Sequence, residues 1–200
     1  MKKDNTVKKY TTFTLVYLLL ESTSKIPISY CAGHPPNGTM EVEKEGCIMK
    51  IAMANDHAGT ALKNQIKEWL EAQGHEVVDF GTYDEEGCDL SDFVYPAALA
   101  VSKGECERGI FVDGVGYGSA MIANKLRGVF ACVCQDPLCA ELAREHNDAN
   151  VLCIGGKIIG SVIAMRIVEV WMSTDPLTAE KYVRRREKVG AIDEECTVQK

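Results

Sequence analysis

Two hundred residues suit one domain of ordinary size plus an extension. A formal net charge of −7 and a pI near 5.2 argue against electrostatic binding to nucleic acid. The nine cysteines are scattered, with no CxxC and no Cys/His cluster at zinc spacing, so they read as reduced thiols packed as small hydrophobes in a cytoplasmic protein without a metal.

Lys2, Lys3, Lys8 and Lys9 precede the apolar run Phe13–Leu20, which mimics the basic and apolar parts of a signal peptide. That run is too short to span a bilayer, so no membrane segment is expected. No small-residue cleavage pattern follows Leu20, and residues 21–47 carry no clear periodicity. Lys44-Glu45-Gly46 can be encoded by a bacterial ribosome-binding sequence just upstream of a start codon at Met49. Residues 1–48 are therefore expected to be a disordered extension, upstream DNA read in frame. Mass spectrometry of the native N-terminus checks this: peptides from residues 1–40 would exclude it.

From Met49 onward short apolar runs alternate with helical patterns. Lys50–Ala54 reads as a first strand, followed by the polar turn Asn55-Asp56-His57-Ala58-Gly59. Leu62, Ile66, Trp69 and Leu70 recur at helical spacing, and Gly74 stops that helix. His75–Phe80 reads as strand two and Gly81–Asp92 as a polar loop; the next helix spans Phe93–Ser102, or starts only after Pro96. Arg108–Val112 is strand three, Ser119–Leu126 a helix, and Gly128–Cys134 strand four. Asp136 caps a helix with Pro137 at its first position, running to about Glu145. Asn150–Ile154 is strand five, Ile159–Met172 an apolar-striped helix, and Ala179–Lys188 a basic segment.

Between strand three and its helix lies the most informative stretch, Asp113 followed by Gly114, Gly116 and Gly118 at alternate positions. A strand feeding a glycine-rich turn into a helix aims backbone N–H groups at one point, where an anion is welcome. A carboxylate beside such amides is a candidate base next to a place where negative charge develops. The bland alternative is a tight turn with a solvated aspartate. Five strands alternating with helices imply an α/β fold, a single doubly wound, Rossmann-like five-stranded parallel sheet with helices on both faces and a C-terminal helical segment. Ligands then bind at the carboxyl ends of the strands. His146 and Asn147 precede strand five and so start at the opposite end of the sheet, which invites a site completed by a second copy.

Three stretches together resemble one family: Met49–Gly59 (MKIAMANDHAG), the glycine turn with Ala123-Asn124-Lys125, and Arg144–Gly156 (REHNDANVLCIGG). The family is that of type-B ribose-5-phosphate isomerases and galactose-6-phosphate isomerase subunits. The likeness spans residues 49–190, leaving 191–200 as a tail. It implies an aldose–ketose isomerase of a phosphorylated sugar that needs no metal or cofactor, assembled as a homodimer or homotetramer with sites between subunits. It also implies residue roles. Asp113 stands at the position of the base, and His146 would open the sugar ring. Asp56 would bind sugar hydroxyls or help ring opening, His57 would lie near the phosphate, and Asn147 would hold hydroxyls or the oxyanion. The amides of residues 114–118, Gly114, Gly116 and Gly118 among them, would stabilise the enediolate. Lys181 and Arg185 would bind phosphate, with Arg184 as a rival. For His57 the alternative is an ordinary residue at a helix start, and for His146 a helix C-terminal cap.

The chain departs from the family pattern at several places. Asp113 replaces the usual cysteine and Val115 a threonine; Asp89-Leu90-Ser91 stands for Asp-Tyr-Pro, and the terminal phosphate motif is reduced to Ala179–Arg185. A thiol at pKa ~8.5 loses roughly 2 kcal/mol to incomplete ionisation at neutral pH, whereas a carboxylate at pKa ~3.9 is ionised but weaker by about 4.6 units. If half that difference enters the barrier, the carboxylate loses roughly 3 kcal/mol, a net handicap of only about 1 kcal/mol. A carboxylate base is chemically acceptable. Galactose-6-phosphate isomerase A subunits carry aspartate at this position, so Asp113 equally fits a chain that pairs with a cysteine-bearing relative. A non-catalytic sugar-phosphate-binding subunit and a flavodoxin-like nucleotide binder complete the alternatives; the latter lacks a diphosphate loop.

Overall fold

The computed structural model describes residues 48–198, so the expected extension over residues 1–48 lies outside the described residues except for its last one. Eleven elements alternate along the chain. β1 (Lys50–Asn55), β2 (Glu76–Asp79), β3 (Arg108–Asp113), β4 (Ala131–Val133) and β5 (Val151–Gly155) form one parallel sheet in the order β2-β1-β3-β5-β4. The helices are α1 (Thr60–Ala72), α2 (Leu90–Ser102), α3 (Tyr117–Ala123), α4 (Pro137–Asn147), α5 (Ser161–Ser173) and α6 (Glu180–Val198).

Side chains alternate between faces along each strand, and here both faces are buried. Ile51, Met53, Ile110, Val112, Leu152 and Ile154 pack on one side with residues of α1, α4 and α5. Ala52, Ala54, Phe111, Val151 and Cys153 face the other, with residues of α2 and α3. Asp113, two residues beyond Phe111, therefore points toward the α2 and α3 layer. The chain leaves β1 for β2 on one side and returns to β3 on the other. The crevice between the carboxyl ends of β1 and β3 is thus a topological switch point.

Helix α3 starts two residues earlier and ends three residues earlier than expected, and three further boundaries differ for reasons the packing shows. Helix α2 begins at Leu90 and carries Pro96 inside it. Leu90 and Phe93 pack against the buried α2 and α3 layer, and that burial outweighs the ladder bond Pro96 cannot donate. Strand β4 is only Ala131–Val133. Ahead of it, two asparagine side chains replace ladder partners: Phe130 N–H donates to Asn150 Oδ1 (2.8 Å), and Asn150 Nδ2 donates to the Gly128 carbonyl (2.8 Å). Asn124 binds Ala131 through both its carbonyl (2.9 Å) and its N–H (2.8 Å), covering part of the sheet edge. Finally, α6 runs without a break through residue 190, where the tail was expected to begin.

Candidate active site

The crevice at the switch point is built from three strand ends. After β1, Asp56 N–H donates to the Val112 carbonyl (3.3 Å), tying the Asp56-His57 turn to the end of β3. Gly59 permits that approach, since a Cβ there would lie 2.1 Å from the Val112 carbonyl oxygen. Asp56 Oδ1 accepts the Ala58 N–H (2.9 Å), and His57 carries a buried Nδ1 with no hydrogen-bond partner among the described residues. After β5, Gly156 N–H donates to the Asp113 carbonyl (2.7 Å) and Lys157 N–H to the Gly114 carbonyl (3.0 Å). A Cβ on Gly114 would have the Lys157 stem 3.7 Å away and the Ala58 methyl 3.9 Å away, so both line the glycine turn. Lys157 was not singled out in the sequence; only the return of β5 beside β3 brings its charge here.

Asp113 itself is 3 % exposed. Its Oδ1 accepts the N–H groups of Val115 (2.8 Å) and Gly116, and its Oδ2 accepts the Ser119 N–H (2.8 Å) and hydroxyl (2.7 Å). A carboxylate has about four lone-pair sites, and here four donors use them. This corrects the expectation that all the amides of residues 114–118 face a substrate anion. The amides of Val115 and Gly116 hold the protein's own carboxylate, because Asp113 is itself the negative charge at the start of α3. Among residues 114–118, Gly114, Tyr117 and Gly118 have N–H groups without a partner among the described residues. Of the three glycines, Gly116 has the conformational need, with φ at +85°. Ser119 is the residue the sequence reading missed here.

The second group of expected residues lies elsewhere. Helix α4 starts as expected, with Asp136 accepting the Cys139 N–H (2.8 Å) and Pro137 in the first turn. It ends at Asn147, followed by Asp148 in the left-handed region (φ 50°). Buried Arg144 clamps that end: its Nη1 binds the Ala149 carbonyl (2.6 Å) and Asp148 (2.8 Å), and its Nε the Thr174 carbonyl (3.3 Å). His146 and Asn147 therefore sit where α4 hands over to the amino end of β5, across the sheet from Asp113. They line a pocket of about 370 Å³ with Asn124, Cys132, Tyr182 and Arg185. The His146 ring stacks on Tyr182, with centroids 4.8 Å apart and planes 17° apart. Arg185 and Arg186 line this pocket, whereas neither Lys181 nor Arg184 does. One chain thus brings Asp56, His57 and Asp113 together, and separately His146, Asn147 and Arg185, without joining the two groups.

Neither cysteine beside the two groups is a ready base. Cys153 is fully buried close enough to feel Asp113, and burial, reinforced by that charge, pushes its thiol well up. Cys132, in the His146 pocket, is likewise raised by burial. Both are held as thiols, which are poor bases. Among the described residues no group of three or more His, Cys, Asp or Glu side chains could hold a metal ion.

A buried carboxylate at the switch point of an open parallel sheet, beside amides left free at a glycine turn, defines a small-molecule α/β enzyme. Residues 51–189 match the family described as Ribose/Galactose Isomerase. Ribose-5-phosphate isomerase B of Escherichia coli is 39% identical over 145 residues, covering 72% of this chain and 97% of that protein. The solved structure of Clostridium thermocellum ribose-5-phosphate isomerase B is 40% identical with a TM-score of 0.71, covering 74% and 99% of the two chains. That of Mycoplasma genitalium ribose-5-phosphate isomerase B, solved with bound ribulose-5-phosphate, is 33% identical with a TM-score of 0.69, covering 73% and 97%. The chain belongs to the ribose/galactose isomerase family.

Proposed function

We propose that this protein, an aldose–ketose isomerase of a phosphorylated sugar, works through a site that Asp113 of one copy and His146 of a second copy complete. Asp113 takes the proton from C2 of the open-chain aldose and returns it to C1, while the C2 hydroxyl proton passes to the oxygen on C1. The enediolate oxygens meet the free amides of Gly114, Tyr117 and Gly118, which act as an oxyanion hole. His146 opens the ring by acid–base transfer, and Asn147 holds a hydroxyl. Asp56 binds hydroxyls at the Asp113 end. His57 and Lys157 there, with Arg185 and Lys181 from the second copy, take the phosphate, the arginine as a planar fork and the lysines as point charges. Buried Cys106, Cys134 and Cys153, all without disulfides, fit a reducing cytoplasm, and no described helix is long and apolar enough to cross a membrane.

The observation that carries this reading is the separation of the two groups within one chain, given a family-type His-Asn-Asp sequence at one end and a buried carboxylate at the other. Mixing two inactive variants tests it. Asp113→Asn and His146→Ala, refolded together in equal amounts, should regain about a quarter of the wild-type activity on ribose 5-phosphate, because half the chains pair unlike and each unlike dimer holds one intact site. Recovery no greater than the sum of the separate variants would refute the shared site.

A second reading, the aspartate-bearing partner of a cysteine-bearing relative, is favoured by the four donors on Asp113. For the carboxylate to accept a substrate proton, one donor must leave, and only the Ser119 hydroxyl can turn away without moving backbone. If Ser119 stays in place, the chain binds substrate without turnover, and activity appears only on adding that relative.

A further inference from the structure

Three contacts converge on one ring at the start of α6. The His146 imidazole stacks on Tyr182, the Lys181 ammonium lies 4.7 Å from its centroid, and the Arg185 guanidinium lies 6.0 Å from it. The ring is half-buried, and its place is built rather than incidental. Leu177 N–H donates to the Glu145 carbonyl (2.9 Å), Arg186 Nη1 to the Leu177 carbonyl (2.9 Å), and Tyr182 N–H to the Ala179 carbonyl (2.9 Å). These bonds dock the first turn of α6 on the last turn of α4.

We infer that Tyr182 is the positioning residue of the ring-opening half of the site: its face fixes the plane of the His146 imidazole and gathers Lys181 and Arg185 beside it. The inference rests on the ring-opening role proposed for His146. A stacked imidazole keeps both nitrogens in a defined plane, so its proton-transfer edge faces the pocket instead of turning about the side-chain bond. The negative face of the phenol ring attracts both cations, and of the two Arg185 lines the pocket that the imidazole enters. The sugar's ring oxygen and its phosphate would then be read from a single platform.

The test compares two aldoses. Ribose 5-phosphate closes a ring and needs opening, whereas erythrose 4-phosphate carries its phosphate on the oxygen that would close a five-membered ring and reacts as an open chain. With the full chain, Tyr182→Leu should lower kcat on ribose 5-phosphate tenfold or more, raise KM severalfold for both aldoses, and leave kcat on erythrose 4-phosphate within threefold. Tyr182→Phe, which keeps the face, should stay within threefold of wild type throughout. His146→Ala should show the same selective loss of kcat. An unchanged kcat on ribose 5-phosphate in Tyr182→Leu, or an equal fall on both aldoses, would overturn the inference. If His146→Ala fell equally on both, the ring-opening role itself would fail, and the Tyr182 assignment with it. A wild type inactive on both aldoses would instead refute turnover of these two sugars by the chain on its own. In that case the His146 Cε1–H resonance decides on the platform: its upfield ring-current shift should vanish in Tyr182→Leu and persist in Tyr182→Phe, and persistence in both would overturn the inference.

Discussion

The two halves of the site are held by different kinds of bond. Around Asp113 three of four contacts come from backbone N–H groups, and the strands that bring them together are buried on both faces. Around His146 the contacts are made by side chains: a stacked phenol, two cations on that phenol and the Arg144 clamp. The first half is therefore expected to be more sensitive to backbone conformation than to neighbouring side chains, the Ser119 hydroxyl excepted. The second depends on individual rings and charges on helices that are partly exposed. On the roles proposed for Asp113 and His146, a rigid base and an adjustable ring-opening group would suit a reaction in which the proton moves a fixed distance between adjacent carbons while the sugar end varies.

The largest contrast is expected from Asp113→Asn. Removing the base should slow exchange of the substrate C2 hydrogen, followed by NMR in deuterium oxide, by about 10²–10⁴-fold. The new amide group would also face the donors on Asp113, costing stability of about 1–3 kcal/mol by urea unfolding. Exchange at the wild-type rate would remove Asp113 from the mechanism.

A smaller effect isolates the backbone. Gly116→Ala places a Cβ on a residue at φ +85°, with the nearest Val133 methyl at 3.1 Å. The left-handed conformation alone costs about 1–2 kcal/mol, so the urea midpoint should fall. The contrast between the halves adds that proton exchange should slow while the His146 resonance stays in place. Movement of that resonance would mean the halves are coupled, within one chain or across the site two copies share.

The smallest effect concerns pH and lies away from both halves. Burial, helped by the positive charge of Arg108, holds the His75 imidazole below its ordinary value, and its Nδ1 accepts the Met49 N–H (3.2 Å). The unfolded chain therefore takes up the proton first. Stability from this contact is complete above about pH 6.5 and is lost as pH falls from there toward the folded-state value. Urea midpoints at pH 7.5 and 5.5 should fall less in His75→Gln than in wild type; equal falls would exclude His75 as the cause.

Much of this was legible along the chain. The five strands stand out because a parallel sheet buried on both faces needs unbroken apolar runs such as Ile110–Val112 and Val151–Ile154. The start of α4 is written in Asp136-Pro137 and the sharp turn in the glycines after Asp113. Other features were hidden for physical reasons. Pro96 inside α2 follows from burial of Leu90 and Phe93, which local propensity does not register. Strand β4 is short because Asn150, some twenty residues on, takes up the hydrogen-bonding groups of Phe130 and Gly128 just ahead of it. Ser119 looked like any early helix residue until its hydroxyl proved to lie on Asp113.

From the sequence alone came the class of fold, the carboxylate at the end of β3 and the family the chain belongs to, because periodicity and short motifs are local properties. Tertiary structure alone decided that the glycine-turn amides are partly spent on Asp113, that Lys157 joins the crevice, and that His146 rests on Tyr182. The first is local but turns on the direction the Asp113 side chain takes at the strand end; the other two depend on a meeting of segments far apart in the chain, set by the packing of the whole sheet, which no single stretch encodes.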